Sequence, residues 1–287
     1  MKTAIVTDSA AYLDPTVAAA HQIIVVPITV IFEQQAYLEN IEITTADFYT
    51  KMRHAEHLPT TAQITMGQMQ TVFDQLIAAG YDEVICIHLS SGITSFVNNL
   101  QAYAQTVTGI KVYPFDSKVT SAGEAMLALN AARLVAQGQH AATIMPQLAA
   151  LQQTLGVYFV VDDLSHLLRT GRISNSAAFV GNLLRLKPIL TFNQAGQIVA
   201  ISKERTKKRA FQKVLADFKV AIAKVDYPVQ VYVVDGNSPT ESAQWVAALK
   251  TAVPEVSVAT SHIGPVVGVH TGEKVMGLIW GQASPQD

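Results

Sequence analysis

Three loops of this sequence carry side chains that could bind an anion. Residues 59–63 read Pro-Thr-Thr-Ala-Gln, residues 90–95 read Ser-Ser-Gly-Ile-Thr-Ser, and residues 270–272 read His-Thr-Gly. Hydroxyl donors and the free N–H groups of a helix start suit a carboxylate or a phosphate, because a buried anion needs donors to offset its loss of water. Taken singly, Thr61 and Ser91 are better explained as helix N-caps, and His270 as a histidine of the core. It is their combination that indicates a binding site.

The elements that would position these loops are apolar runs typical of strands. Four such runs end in small, hydroxyl, Asp or His residues, at positions 4–9, 84–92, 112–117 and 266–272. Helices are predicted over residues 66–79, 96–107 and 121–137, so strands and helices alternate. This alternation indicates βαβ units, and ligands bind outside the carboxyl ends of their strands. The sequence therefore predicts an α/β fold with mostly parallel or mixed sheets.

The second half of the chain repeats the alternation. Strand-like runs lie at residues 157–161, 187–192, 197–202, 229–234 and 256–263, with helices predicted at 206–224 and 241–250. At 287 residues the chain is longer than one hydrophobic core usually supports. We therefore predict two α/β domains, residues 1–153 and 154–287.

Some local features can also be predicted. A β-branched run at residues 23–31 crosses Pro27, which indicates an edge strand or a strand start, and residues 41–43 follow as a second short strand at hairpin distance. A hydroxyl N-cap and an acid in the first turn predict a helix start at residues 44–48. A short polar helix is predicted to contain residues 169–174.

Composition excludes several classes of protein. With 49% hydrophobic and 15% charged residues, the chain has much apolar surface to bury, in its core or around an apolar ligand. The net charge of −2 provides no basic surface, so no nucleic-acid partner is expected. Neither a nucleotide-binding glycine motif nor H-E-x-x-H occurs, and the eight histidines lack metal-ligand spacing. We expect neither cofactor nor metal.

The same inspection predicts where the protein resides. No apolar run reaches the roughly 18 to 20 residues of a membrane span, and the N-terminal run is too short for a secretory signal. The single cysteine, Cys86, lies in an apolar run and cannot form an internal disulfide. We therefore expect a cytoplasmic protein.

Short motifs, in order along nearly the whole chain, resemble the DegV family of bacterial fatty-acid-binding proteins. The motifs are residues 7–9, 59–63, 90–92, 116–117, 171–174, 186–189 and 263–272. The resemblance implies two α/β domains with one long-chain fatty acid held between them in a buried tunnel. It also implies that the protein presents the acyl carboxylate to a separate ATP-dependent kinase, which makes an acyl phosphate for phospholipid synthesis. The chain itself would then be a lipid carrier and not an enzyme.

The resemblance also implies residue roles. Thr61 and Ser91 would bind the fatty-acid carboxylate, whereas Arg172 and His270 would lie at the pocket mouth, near the carboxylate or the phosphate added to it. Arg205, in a basic stretch, would help to dock the kinase; the alternative for that stretch is an ordinary solvated helix start.

The sequence departs from the family pattern at positions that bear on the pocket. Ala62 replaces a hydroxyl residue, Phe96 adds bulk after the serine-rich loop, and Thr170 replaces the first glycine before the arginine. The predicted carboxylate ligands are intact. The shape of the pocket, and hence the preferred acyl chain, is therefore left open.

Two other functions remain open at this point. Ser91 and His270 could be the nucleophile and base of a serine hydrolase, with Asp8 or Asp116 orienting the histidine, although no G-x-S-x-G motif surrounds the serine. Alternatively, the chain could be a two-domain binding protein for a small polar metabolite, such as a sugar or dihydroxyacetone.

Overall fold

The computed structural model describes residues 1–174 and 186–284. The strands are β1 (Thr3–Asp8), β2 (Ile23–Val26), β3 (Thr29–Phe32), β4 (Gln35–Leu38), β5 (Thr60–Ala62), β6 (Glu83–His88), β7 (Lys111–Asp116), β8 (Gly156–Val160), β9 (Lys187–Phe192), β10 (Ile198–Glu204), β11 (Val229–Asp235), β12 (Ser257–His262) and β13 (Met276–Gln282). The helices are α1 (Pro15–Ala20), α2 (Thr45–His54), α3 (Met66–Ala78), α4 (Phe96–Ala104), α5 (Ala122–Ala136), α6 (Ala141–Thr154), α7 (Ser165–Arg169), α8 (Lys207–Ile222), α9 (Pro239–Ala252) and α10 (Pro265–Thr271). Among these described helices, none is both long enough and apolar enough to cross a bilayer.

The first sheet is parallel throughout, with the strand order β2-β1-β6-β7. Helices cover both of its faces: Phe73 of α3 and Leu100 of α4 belong to the core on one side, and Leu127 of α5 and Ile144 of α6 to the core on the other. A strand buried on both faces needs apolar residues at every position, which explains the continuous run from Val84 to Ile87 in β6.

The second sheet is mixed and has the order β10-β9-β8-β13-β11-β12. β13 runs antiparallel to both of its neighbours, whereas β11 and β12 are parallel. Alternate residues of β13 face opposite sides of the sheet, so Leu278 and Trp280 pack in the core of α8 and α9, while Ile279 packs with Val157 on the other face. The predicted α/β fold with parallel and mixed sheets is confirmed.

A small antiparallel sheet, with the order β4-β3-β5, completes the architecture. The predicted run 23–31 is divided at Pro27, because its first part is β2, an edge strand of the first sheet, and its second part enters the small sheet as β3. The edge position of the segment next to Pro27 is confirmed. The second hairpin strand was misplaced, since β4 precedes residues 41–43, which form only an isolated bridge at Ile43.

Further elements differ from the sequence prediction. Residues 60–62, expected in a loop, form the strand β5. Residues 266–272 were expected as a strand, but Pro265 occupies the first turn of the helix α10, where its fixed φ and missing N–H are tolerated. The short polar helix, α7, ends at Arg169, before Arg172. The sequence reading also missed β13, which lies in the interior of the second sheet.

The distribution of strands bears on domain organisation. Every described strand before residue 153 belongs to the first or the small sheet, and every described strand after it belongs to the second sheet. We propose that the halves are separate domains with a boundary near residue 153, at the end of α6. The helix α5 contacts strands of both larger sheets and so connects the halves.

A second connection is a close approach between two loops. The loop after β6 packs against the turn between β9 and β10. There the Ser90 hydroxyl donates to the Gly196 carbonyl at 2.7 Å. A Cβ added to Gly92 would lie 2.3 Å from the carbonyl carbon and oxygen of Gly196, so only glycine fits there. Gly196 has a φ of +70°, in the left-handed region that favours glycine.

Candidate functional site

A cavity of about 310 Å³ lies between the two halves of the chain, within the range of small-molecule sites. Most of its walls are apolar, with side chains from both halves: Ile28, Leu89 and Phe96 from the first, Val157, Val234 and Ile279 from the second. Its polar side chains include Thr61, Gln63, Thr94, Ser95, Arg172 and His270. No acidic side chain of a described residue lines it. Such walls suit an acyl chain better than a sugar.

Thr61 and His270 meet at this cavity although 209 positions separate them. The Thr61 Oγ1 lies 3.0 Å from the His270 Nε2. β5 holds Thr61 opposite Val30 of β3, and α10 carries His270 in its last turn. The histidine Nδ1 is buried without a hydrogen-bond partner among the described residues. The pair therefore retains capacity for one more polar ligand.

The His270 ring is neutral at physiological pH. Burial, together with the nearby positive charges of Arg172 and Arg169 and the nearby His166, lowers its pKa to about 3. A neutral imidazole has one donor and one acceptor nitrogen, so it can accept from the Thr61 hydroxyl and donate to an anion. Its contribution is a hydrogen bond rather than a charge.

Positive charge at this end comes from two arginines. Arg172 Nε donates to the Ile93 carbonyl at 3.3 Å, and its Nη1 donates to the Thr170 carbonyl. Arg169 Nη2 donates to the Pro59 carbonyl at 3.1 Å. Within residues 1–174 and 186–284, neither guanidinium forms an ion pair with a carboxylate. Two cations without a described counterion favour an anionic ligand here.

Ser95 and Thr94 complete the polar end through Gln63. The Ser95 hydroxyl donates to Gln63 Oε1 at 3.1 Å, and the Thr94 hydroxyl lies 3.4 Å from the same oxygen. These contacts join the loop after β6 to the loop after β5. The side chains of Arg172, His270 and Thr61 lie against the same two loops. These polar residues therefore occupy one end of the cavity.

Ser91 lies outside the cavity lining. Its hydroxyl donates to Asp116 Oδ2 at 2.5 Å, and its backbone N–H donates to Asp116 Oδ1 at 3.0 Å. Its assignment to the carboxylate stays a prediction, and the hydroxyl would have to leave Asp116 to fulfil it. His270 and Ser91 are not hydrogen-bonded to each other, so the geometry does not support the serine-hydrolase alternative.

Asp8, the other residue considered for that alternative, is engaged elsewhere. It is fully buried, and its Oδ2 lies 3.0 Å from His88 Nδ1 and accepts from the Leu89 backbone N–H at 3.1 Å. Asp8 therefore fixes the turn after β6 and does not orient His270. No three His, Cys, Asp or Glu side chains are grouped as metal ligands in the part of the chain that the structure describes.

Arg205 is exposed and lies far from the cavity. It follows Glu204, the last residue of β10, whereas Ile198 at the other end of that strand pairs with Ile173, next to Arg172. Six residue steps of a strand span about 20 Å. A role for Arg205 would therefore be one of surface contact.

The sequence reading missed two residues: Arg169, which lies near His270 but does not line the cavity, and Ser121, which lines it. Arg169 was placed only in a predicted helix, and nothing in its spacing connects it with His270. Ser121 lines the cavity with a buried hydroxyl that has no described partner, although the sequence suggests an ordinary residue at a helix start. Its backbone has a φ of 57° and its side chain makes no capping hydrogen bond, and no sequence pattern reveals either feature.

Comparison with known proteins gives a consistent result. The model of the DegV family, described as "Uncharacterised protein, DegV family", matches residues 2–282. A DegV domain-containing protein of Listeria innocua is 39% identical over 97% of this chain and 98% of its own length. The crystal structure of DegV from Bacillus subtilis, a fatty acid binding protein, is 36% identical, with a TM-score of 0.91 over 99% of this chain and 100% of that one. A fatty acid binding DegV family protein of Streptococcus agalactiae is 28% identical, with a TM-score of 0.92 over 99% and 100% of the two chains.

Proposed function

This chain belongs to the DegV family, and we propose that it binds one long-chain fatty acid in the cavity between its two halves. The observation that carries the proposal is the division of the cavity into apolar walls and one polar, cationic end. The solved relatives from Bacillus subtilis and Streptococcus agalactiae, which are fatty acid binding proteins, support the same ligand class.

The two ends of such a ligand would contribute differently. Burying a sixteen-carbon tail at about 0.8 kcal/mol per methylene contributes on the order of 10 kcal/mol before ordering costs, whereas one neutral hydrogen bond contributes only about 1 kcal/mol. The tail therefore supplies most of the affinity. Thr61 and His270, with Arg172 beside them, fix which end of the ligand lies at the polar end.

Extraction of the native protein tests the proposal. Protein purified without added ligand is expected to yield about one long-chain fatty acid per chain, because an apolar cavity retains a ligand that water rejects. Organic extraction of folded protein followed by mass spectrometry measures this. The proposal is wrong if no stoichiometric fatty acid is extracted and added fatty acid causes no thermal shift. A co-purified sugar or other polar metabolite would instead support the second alternative.

We further propose that the bound carboxylate is presented to a separate ATP-dependent kinase for conversion to an acyl phosphate. An acyl phosphate carries more negative charge than a carboxylate, so Arg172 and His270 should matter most after phosphoryl transfer. Arg205 is suited to docking, because it is exposed and about 20 Å of strand separates it from the polar end.

A salt titration separates docking from chemistry. Arg205→Ala should raise the concentration of this chain needed for half-maximal turnover by a fatty acid kinase, and the difference from wild type should shrink as salt rises. Lys219→Ala is the matched control, since it removes one exposed positive charge near the other end of α8. Equal effects of the two substitutions would show that only net charge matters. Fatty acid binding should be unchanged in both variants.

A further inference from the structure

The helix α7 contacts the segment that leads into the Thr61 strand. Arg169, the last residue of α7, donates from Nη2 to the Pro59 carbonyl at 3.1 Å. Pro59 is buried, and it immediately precedes β5, in which Thr61 is the middle residue. The carbonyl of a buried residue needs a hydrogen-bond donor, so this contact holds the start of β5 in place.

The strand β5 depends on such contacts because it is short and lies at the edge of its sheet. It has three residues, and among the described strands it pairs only with β3, where Thr61 lies opposite Val30. β5 also contacts the helix α10, where the Thr61 hydroxyl meets the His270 ring. The position of Thr61 relative to His270 therefore depends on what connects β5 with the second half of the chain.

A second side chain of α7, His166, anchors the same helix on α10. Its Nδ1 lies 3.1 Å from the carbonyl oxygen of Val269, the residue before His270. A carbonyl can only accept, so this ring nitrogen is the donor. His166 and Arg169 are three positions apart in α7 and therefore lie on one face of the helix. Through α7, the Arg169 contact connects β5 with the helix that carries His270.

From these contacts we propose that Arg169 is a positioning residue for the carboxylate of the fatty acid and acts through Thr61. The inference rests on the proposed function and adds a residue to its site. Arg169 does not line the cavity, so it acts through a residue that does. Holding Thr61 beside His270 before the ligand arrives strengthens binding, because less conformational freedom is lost when the carboxylate is bound.

A double-mutant cycle for the binding of hexadecanoic acid tests this assignment. Arg169→Met keeps a long unbranched side chain but removes the donor, and it should weaken binding about fivefold, as expected from the loss of one hydrogen bond. Thr61→Val should also weaken binding. Adding Arg169→Met to Thr61→Val should then cause less than about a twofold further loss, because substitutions that remove the same contact are not additive.

Arg209→Met is the matched control, because Arg209 is an exposed arginine of α8 that does not line the cavity. It should leave the affinity for hexadecanoic acid at the wild-type value. A second readout separates positioning from a general loosening of the structure. The ratio of the affinities for hexadecanoic and dodecanoic acid should be the same in Arg169→Met as in wild type, because the apolar walls are unchanged.

The outcomes separate this inference from the proposed function. An unchanged affinity in Arg169→Met overturns the inference alone. So does a loss of about twenty-five-fold in the double variant, the product of two fivefold losses, since it would show that the Arg169 charge acts on the carboxylate directly. A lower ratio for the two acids also overturns it, because the cavity itself would then have opened. Failure of either acid to bind the wild-type protein overturns the proposed function itself.

Discussion

Hexadecanoic acid should bind this chain about two hundred times more tightly than dodecanoic acid. The reason is the length of apolar wall, to which both halves contribute side chains such as Phe96 and Ile279. Each of the four additional methylenes adds about 0.8 kcal/mol, so the difference is roughly 3 kcal/mol, and every 1.4 kcal/mol is a tenfold change in affinity.

Isothermal titration with both acids, below the concentrations at which they aggregate, measures the ratio. Thr61→Val is the matched control, since it weakens the head-group contact with His270 and leaves the apolar wall intact. Both affinities should fall in this variant while their ratio stays the same. A ratio below about threefold in wild type would show that the tail does not lie in the cavity, because each buried methylene alone is worth about fourfold.

Gly92→Ala should lower the free energy of unfolding by about 1 to 3 kcal/mol, because this is the typical cost of overpacking in a well-packed region. The added methyl group would lie 2.3 Å from the Gly196 backbone and 2.6 Å from the Gln197 nitrogen. Backbone atoms cannot move aside as the end of a flexible side chain can. The turn between β9 and β10 must therefore separate from the Ser90 loop. This separation breaks the 2.7 Å hydrogen bond between Ser90 and Gly196.

Chemical denaturation compared with Gly67→Ala measures this effect. Gly67 lies in α3, where an added Cβ would meet nothing nearer than the Thr65 hydroxyl at 3.8 Å, so alanine should stabilise the helix by about 0.5 to 1 kcal/mol. Fatty acid affinity should fall only in the Gly92 variant, because its contact joins the halves that enclose the cavity. Equal stability of the two variants would show that the loops do not approach so closely.

Much of the fold follows from local patterns. The strands β1 and β7 and the helices α3 and α5 lie within one residue of their predicted positions, and β6 begins one residue before the predicted run. A buried parallel sheet demands long apolar runs, and its helices are strongly periodic. The helix α10 was mistaken for a strand since the run Val266 to Val269 is short and β-branched, and tertiary burial decides its conformation. The strand β13 was not predicted because it contains Gly277 and Gly281. Glycine is unfavourable in a strand unless a neighbouring group packs closely against it, as happens at both positions.

The site was less accessible to sequence reading. Resemblance to the family named Thr61, Arg172 and His270, and the structure brings all three to one cavity. Spacing along the chain could not have shown this, because the contact between Thr61 and His270 depends on how the small sheet meets α10. Ser121 escaped notice for a different reason: its residue type fits a helix cap, although its side chain makes no capping hydrogen bond.

The meeting of Thr61 with His270 has a consequence for biosynthesis. A ribosome completes the first sheet when Asp116 emerges, but the helix α10 and the wall strand β13 are made later. Until they emerge, the cavity lacks the walls that they supply, so the proposed fatty acid would bind only after they are made. Because a ligand that binds only the folded state stabilises it in proportion to the logarithm of its concentration, lipid supply would set how much completed chain survives proteolysis.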